Sequence, residues 1–184
     1  SLAIDVGCGT GDFALELARR SGVNVIGVDL SQEMLLLAQR KTRNAHIQSH
    51  VSFQIADALT LPFLDNQFHG ATLGFTLRNV ADIRSALEEL HRIVRPGGKV
   101  VTLELTPVRS GICAPLLRFY MYRVIPWLGR MVARDSDAYT YLPNSVTSFP
   151  LAETLANMMR DVGFSHVSFR RLALGTVAIH IAEK

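Results

Sequence analysis

Short apolar segments alternate with helix-like segments over most of the chain. The apolar segments cover residues 2–6, 23–28, 51–56, 71–75 and 100–105. Helical spacing of apolar residues marks residues 11–20, 81–94 and a stretch that begins after Ser31, a residue typical of helix N-caps. Alternation of this kind predicts an α/β domain with a parallel, doubly wound sheet and right-handed crossovers.

The last third of the chain departs from this pattern. Residues 151–162 are helix-like and end before Gly163, and strand-like residues 167–172 and 176–181 follow. Because so short a link cannot hold a crossover, we expect these two strands to be antiparallel. At 184 residues the chain suits a single domain, 1–184, in which residues 105–150 form an insertion.

Composition excludes several classes of protein. Hydrophobic residues make up 48% and charged residues 19%, which excludes a disordered chain. Two cysteines, Cys8 and Cys113, cannot form a disulfide framework, and the apolar runs are too short to span a bilayer. We therefore expect a cytoplasmic protein. The chain begins within a strand and without Met, so we also expect an N-terminal segment to precede it.

The positive charge is local. The net charge is +3, yet residues 109–134 hold five arginines and no acidic residue, which leaves −2 for the rest. The same stretch contains apolar side chains such as Leu116, Phe119 and Trp127. Such a sequence fits an amphipathic contact with an anionic membrane, peripheral at its inner face. A homodimer interface and a lid over the site are equally good readings.

A glycine-rich loop, Asp-Val-Gly-Cys-Gly-Thr-Gly-Asp, follows the first strand and opens a helix. Its glycines, Gly7, Gly9 and Gly11, follow the acidic residue Asp5 and allow close approach of a ligand to the backbone. The spacing differs from the dinucleotide fingerprint and from a P-loop. A plain strand-to-helix turn is the alternative.

Acidic residues also close the second and third strands. Asp29, at the end of the second strand, is placed to accept hydrogen bonds from ribose hydroxyls. Asp57, followed by Ala58, is placed to meet an adenine amino group, although turn and helix-capping residues look the same. Because the carboxyl ends of parallel strands share one edge, we predict a nucleoside site there.

Seven motifs together resemble the ubiquinone/menaquinone biosynthesis C-methyltransferases. They are DVGCGTGD, GVDLSQEML, ADALTLPF, FTLRNVADIRSALEELHRIVRPGGKV, LELTP, AYTYLPNSVTSFP and GTVAIHIAEK. LRNV and the later YLPNSV…FP are specific to that family, whereas glycine loops are not. The resemblance implies a Rossmann-like class I methyltransferase fold, with seven mostly parallel strands, an antiparallel C-terminal hairpin and helices on both faces.

The resemblance also implies a reaction and its participants. The methyl donor would be S-adenosyl-L-methionine. The acceptor would be a ring carbon of a polyprenyl quinol, either a demethylmenaquinol or a 2-methoxy-6-polyprenyl-1,4-benzoquinol. It suggests a homodimer, and relatives carry an N-terminal segment that helps enclose both ligands. Another small-molecule methyltransferase and a non-catalytic quinone-binding subunit are the alternatives, while a nucleic-acid partner is disfavoured by the lack of a base-flipping motif.

Residue by residue, the resemblance adds cofactor contacts to those of the loop. The complete predicted set is Asp5, Gly7, Gly9, Thr10, Gly11, Asp29, Leu30, Asp57, Ala58 and Gly74. Arg78 and Asn79 match the catalytic, substrate-side pair. A guanidinium at Arg78 would stabilise a phenolate acceptor. The competing role for Arg78 is a structural salt bridge to Asp57 or Glu104.

Other candidate residues carry weaker predictions. We interpret His180 as a structural residue and Cys8 as too embedded in the loop to be a nucleophile. Glu104 ends the fifth strand and is a candidate for facing the site. Tyr139 and Tyr141 would either line the quinone ring or pack. No group of residues has metal-ligand spacing, so no metal is predicted.

Overall fold

The computed structural model describes residues 1–107 and 149–184, which form one seven-stranded sheet with helices. The strands are β1 (Leu2–Val6), β2 (Asn24–Asp29), β3 (Val51–Ile55), β4 (Phe68–Gly74), β5 (Val94–Leu105), β6 (Ser165–Leu172) and β7 (Val177–Glu183). The helices are α1 (Asp12–Ser21), α2 (Gln32–Asn44), α3 (Ile83–Ile93) and α4 (Ala152–Val162). One 3₁₀ turn, Leu77–Asn79, follows β4, and another, Ala173–Gly175, lies between β6 and β7.

The strand order is β3-β2-β1-β4-β5-β7-β6. The first five strands are parallel to their neighbours, and β7 pairs antiparallel with both β5 and β6. This confirms the predicted fold class, including the antiparallel C-terminal pair. Ser31 caps α2 as expected, since its Oγ accepts from the Met34 N–H at 3.3 Å.

Two strands begin earlier than the sequence suggests. β4 starts at Phe68 and β5 at Val94, directly after α3, so the Pro96-Gly97-Gly98 segment continues the strand. Its polar groups are paired with the end of the chain, since the Gly97 N–H donates to the Lys184 carbonyl and the Lys184 N–H donates to the Gly98 carbonyl. The helix does end before the proline, as predicted, and long-range pairing places the proline and glycines in a strand instead of a turn.

The sheet separates two helical layers. α1 and α2 pack over β1, β2 and β3 around a small cluster that includes Ala14, Ala18 and Val25. α3 and α4 cover the opposite face, where Leu87, Leu90 and other fully buried apolar residues form the main core. In the part of the chain that the structure describes, no helix is both long and apolar enough to cross a membrane.

The topology places the binding edge of the sheet. β1 lies between β2 and β4. The chain first runs from β1 outward through β2 to β3, and then returns to place β4 on the other side of β1. Sheets of this kind bind ligands outside the carboxyl ends of the strands at such a switch point. The glycine loop after β1 and the turns after β2, β3 and β4 meet there.

Candidate active site

A cleft of about 560 Å³ opens at the carboxyl ends of β1 to β4. Seven of the residues predicted from the sequence line it: Gly7, Gly9, Asp29, Leu30, Asp57, Ala58 and Asn79. Its other described lining residues, which sequence reasoning missed, are Ser31, Met34, Ala56, Leu59, Phe75, Thr76, Val80 and Ala81. The structure therefore brings together the three strand ends that the sequence marked, those of β1, β2 and β3, with the turn after β4.

The glycine loop is open to the cleft at its centre. Gly9 has φ +52°, and a Cβ built there would meet no atom within 4 Å. Gly7 and Gly11 serve packing instead, because a Cβ at Gly7 would lie 2.3 Å from Thr76 and one at Gly11 would lie 2.9 Å from the Phe53 ring. Only Gly9 thus leaves room for a ligand against the backbone.

Asp29 connects the glycine loop to the β2–α2 turn. Its Oδ2 accepts from the Gly9 N–H at 2.8 Å, and its Oδ1 accepts from the Ser31 N–H at 2.9 Å. A carboxylate has about four acceptor sites, so each oxygen retains acceptor capacity after these bonds. Asp29 is therefore held rigidly at the cleft and is able to receive two further donors.

Asp57 stands opposite, in the segment after β3. Its Oδ1 accepts from the Leu59 N–H at 2.9 Å, which makes a local turn, and Oδ2 has no hydrogen-bond partner within the described ranges. The segment that follows is tied to α3, since Arg92 donates to the carbonyls of Leu61 and Phe63. Both the turn role and the ligand role predicted for Asp57 are compatible with this geometry.

Apolar side chains form the walls between these two acids. Leu30 is 68% exposed and Met34 is 44% exposed, which is unusual for large apolar residues. Ala56, Leu59 and Val80 line the same cleft. An apolar slot beside a few fixed polar groups is typical of a site for a flat organic ring.

Four predicted cofactor residues lie outside the lining of the cleft. The carboxylate of Asp5 is buried and joins β4 to α1, accepting from Thr72 Oγ1 at 2.7 Å and from the Ala14 N–H at 3.1 Å. Burial raises the pKa of Asp5 to about 7. The Thr10 hydroxyl accepts from Lys41 Nζ at 2.7 Å and donates to Asp12, on the outer side of the loop.

Gly11 and Gly74 complete this group. Gly11 supports the ring of Phe53, as described above, and a Cβ on Gly74 would lie 2.4 Å from the ring of Phe13. All four positions support the loop or the strand ends that carry it. Their direct contact with a ligand remains a prediction from the sequence.

The turn after β4 carries the predicted catalytic pair. Phe75, which precedes it, has φ +58°, a strained value for a bulky residue and one that clusters at functional sites. Asn79 lines the cleft and its Nδ2 donates to the Phe75 carbonyl at 3.3 Å. Arg78 lies behind it, with its guanidinium carbon 5.2 Å from the centre of the Phe75 ring.

Arg78 forms an ion pair with Glu104, one of the two partners considered from the sequence. Arg78 Nη1 lies 3.6 Å from Glu104 Oε2, and the carboxylate is fully buried. Glu104 Oε1 accepts from the Leu77 N–H at 2.7 Å, so the same side chain holds the turn. Burial raises the pKa of Glu104 to about 7, and Arg78 opposes that rise.

Some of the remaining candidates are structural residues, and the others lie outside residues 1–107 and 149–184. His180 is buried, and its Nε2 lies 2.9 Å from the Ala152 carbonyl, which favours the structural interpretation. Burial also raises the pKa of the Cys8 thiol, which makes it a poor nucleophile. Tyr139, Tyr141 and residues 109–134 lie outside the described residues. Within residues 1–107 and 149–184, no group of side chains could hold a metal ion.

Comparison with known proteins decides the family. A family model described as the ubiE/COQ5 methyltransferase family matches residues 1–184. The chain belongs to this family. It is 42% identical over 182 residues to the demethylmenaquinone methyltransferase of Thermus thermophilus, covering 98% of the chain and 81% of that protein. It is 38% identical over 186 residues to the ubiquinone/menaquinone biosynthesis C-methyltransferase UbiE of Rickettsia typhi, covering 98% and 75%.

Solved structures agree on the fold. The [4+2]-cyclase SpnF matches with a TM-score of 0.76 at 21% identity, covering all of this chain and 75% of that one. A phosphoethanolamine N-methyltransferase of Haemonchus contortus, bound to S-adenosyl-L-methionine, also gives 0.76, at 15% identity, covering all of this chain and 48% of that one. The predicted resemblance and fold are confirmed, and this member of the ubiE/COQ5 family is an S-adenosylmethionine-dependent methyltransferase.

Proposed function

We propose that the chain methylates a ring carbon of a polyprenyl quinol, with Asp29 and Asp57 holding the cofactor and Arg78 activating the acceptor. The observation that carries the proposal is the arrangement at the sheet edge. A rigid carboxylate and an apolar slot lie next to a turn that presents a buried guanidinium. A nucleoside cofactor and a hydroxylated ring acceptor require these two kinds of group side by side.

The cleft fits the cofactor by its chemistry. The free acceptor sites of Asp29 suit the two ribose hydroxyls, and the uncovered backbone at Gly9 admits the ligand closely. The slot beside Leu30 and Met34 suits the adenine ring. Asp57 Oδ2 would accept a hydrogen bond from the amino group of that ring. When bound, S-adenosylmethionine supplies a methyl group on a sulfonium centre that is already activated.

The acceptor needs more help than the donor. A phenolic hydroxyl titrates near about 10, so only about one in a thousand is ionised at neutral pH. A hydroquinone carbon becomes a good nucleophile when its hydroxyl loses the proton. The guanidinium of Arg78 stabilises the resulting phenolate, and Asn79, which lines the cleft beside it, orients the acceptor oxygen.

A methyl-transfer assay tests the proposal. We expect mass spectrometry to show a single added methyl on a reduced demethylmenaquinol or a reduced methoxy-polyprenyl-benzoquinol, with one ring type preferred. Calorimetry should show S-adenosylmethionine binding. Binding without transfer to either ring would indicate a methyltransferase of another acceptor, and absence of binding would indicate a non-catalytic subunit.

We also propose that the chain works at the inner membrane surface, where a polyprenyl tail resides. Residues 109–134 supply the five arginines and the apolar side chains for that contact. Each arginine near an anionic surface contributes about 1 kcal/mol. Replacing Arg118, Arg123 and Arg130 with glutamine should therefore weaken binding to anionic vesicles about 100-fold.

Liposome flotation at low and high salt measures this effect. The matched control replaces three exposed arginines elsewhere, Arg19, Arg20 and Arg84, with glutamine and should float as the unmodified chain does. An equal loss of vesicle binding in both triple variants would show that the effect comes from net charge alone. Failure of the unmodified chain to float with anionic vesicles would favour the dimer interface or the lid, and sedimentation would separate those two.

A further inference from the structure

One face of β5 carries a row of buried polar side chains next to the site. Thr102 and Glu104 on the strand and Thr106 just after its end continue one alternation and are buried, Thr102 and Glu104 fully so. Among residues 1–107 and 149–184, Glu104 Oε2 has no hydrogen-bond partner, and neither do Nε and Nη1 of Arg78. Buried polar atoms are nearly always paired in native proteins, so this group of two donors and one acceptor needs an explanation.

The separation of the pair matches the span of one bridging hydroxyl oxygen. Arg78 Nη1 and Glu104 Oε2 are 3.6 Å apart, which is too long for a direct hydrogen bond. An oxygen placed about 2.9 Å from the nitrogen and about 2.7 Å from the carboxylate closes the triangle. That oxygen would accept from Arg78 and donate to Glu104, which a hydroxyl does and an ether or carbonyl does not.

We propose that Glu104 is the general base of the reaction and takes the proton of the acceptor hydroxyl while Arg78 holds its oxygen. This inference rests on the proposed function. The acceptor hydroxyl enters along Arg78, whose side chain keeps 13% exposure and reaches the surface of the described residues. The role is distinct from that of Arg78, which keeps its charge and cannot take up the proton.

The proton balance is simple. The O–H bond of the acceptor breaks, an Oε2–H bond forms on Glu104, and the electron pair stays on the phenolate oxygen. The ring carbon then gains the methyl group as the methyl–sulfur bond of the donor breaks, and the acceptor oxygen becomes a ketone. Loss of the ring carbon's own proton to solvent restores the aromatic ring and the phenolate. The phenolate then recovers the proton from Glu104, so one proton is released per turnover.

Charge conservation favours this base. Before the transfer the buried site holds the Arg78 cation and the Glu104 anion, and afterwards it holds the same cation and a phenolate. The proton transfer therefore creates no unpaired buried charge, which is the expensive state in a protein interior. The pKa of Glu104, raised by burial to about 7, also narrows the gap to a phenol.

Few other charges bear on Glu104 among the described residues. On its face of the sheet, the turn contributes Arg78 and β7 contributes His180, whose pKa is lowered by burial. The acidic residues of the covering helices are engaged elsewhere, since Glu89 pairs with Arg92 and Glu153 with Arg171. The pKa of Glu104 is therefore set by burial, which raises it, and by the Leu77 N–H and then the Arg78 charge, which lower it.

The test compares E104Q with T106V. Glutamine keeps an oxygen for the Leu77 N–H but cannot act as a base, whereas Thr106→Val alters a buried neighbour on the same strand face. We expect E104Q to lower kcat about 100-fold at pH 8 and T106V to leave it within twofold. S-adenosylmethionine affinity, measured by calorimetry, should be unchanged in both, because neither residue lines the cleft.

The pH profile separates a base from a structural residue. For the unmodified chain, kcat should rise about tenfold per pH unit below about pH 7. It should level off above that pH, where Glu104 is ionised. The E104Q profile should lack this break and keep rising as the acceptor itself ionises. Difference infrared spectroscopy should show protonated carboxyl bands of Asp5 and Glu104 that disappear near pH 7, and E104Q should lose the Glu104 contribution.

An acidic acceptor provides the decisive comparison. A trihalogenated hydroquinone is largely ionised at pH 8 and keeps one ring hydrogen for methylation, so the E104Q defect should shrink to within about fivefold. A defect equal for both acceptors, or E104Q activity within twofold of the unmodified chain, would overturn the base assignment. If E104Q does not fold, a kcat of the unmodified chain that shows no break between pH 5 and 9 would overturn it instead. No turnover by the unmodified chain would refute the proposed function, and this inference with it.

Discussion

Replacing Asp29 with alanine should weaken S-adenosylmethionine binding roughly 300-fold. The carboxylate is the only described side chain that joins the glycine loop to the β2–α2 turn, through the Gly9 and Ser31 N–H groups. It would also accept from both ribose hydroxyls. Losing two hydrogen bonds to a charged group costs about 3–4 kcal/mol, which corresponds to that change in Kd.

The variant Asp29→Asn should lose less, about 30-fold. Its amide oxygen still accepts from one backbone N–H, but its NH₂ faces a second donor where the carboxylate had an acceptor. Calorimetry measures both Kd values. At saturating cofactor, kcat should stay within about threefold of the unmodified value, because Asp29 is needed for binding and not for chemistry.

Asp12→Asn is the matched control for the loss of an acid near the loop. Asp12 is exposed and pairs with Lys41 on the outer side, away from the cleft. Its removal should change the cofactor Kd by less than twofold. If Asp12→Asn and Asp29→Ala weaken binding equally, the effect is general electrostatics and the ribose role of Asp29 is wrong.

The strand-end acids were predictable from the sequence because topology alone brings them together. Asp29 and Asp57 each follow a strand of a parallel sheet, and the carboxyl ends of such strands share one edge. The direction of the Thr10 hydroxyl was not predictable. It depends on Lys41, which lies one helix further along the chain and draws the hydroxyl outward.

The residues that line the walls of the cleft could not be predicted, because their sequence patterns are ambiguous. Met34 fits the apolar stripe of α2, so periodicity assigns it to the core, whereas the structure leaves it 44% exposed at the cleft. Phe75 has a positive φ with no glycine to indicate it. Such strain is imposed by the surrounding fold, so local propensity carries no signal for it.

The partner of Arg78 was limited to two candidates by the sequence but not decided. Asp57 and Glu104 both end strands on the correct edge. The choice depends on which face of β5 carries Glu104, and this follows from the long-range register of β5 with β4 and β7. A salt bridge predicted as the alternative to function is therefore present, and the two roles have to be separated by experiment.

Replacing Arg78 with alanine should lower kcat about 1,000-fold while leaving S-adenosylmethionine Kd within twofold. Removing one preorganised donor from a developing oxyanion costs about 100- to 1,000-fold, and a cation is at the upper end of that range. Arg78 does not line the cofactor cleft among the described residues. Arg78→Lys should recover part of the rate, since it keeps the charge but loses the fork of donors.

The double variant Arg78→Met with Glu104→Gln separates catalysis from stability. Arg78→Met alone leaves a buried carboxylate without its counter-ion and should destabilise the fold by about 3 kcal/mol in urea denaturation. The double variant has no buried charge at this position, so its stability should return to within about 1 kcal/mol of the unmodified chain. Turnover should remain about 1,000-fold down, because the phenolate still has no cation. Recovery of turnover together with stability would show that the ion pair is purely structural.

The double variant also tests whether the two residues act together. Because Arg78 and Glu104 act on one hydroxyl in the proposed mechanism, the loss of kcat in the double variant should be far smaller than the product of the losses in the two single variants.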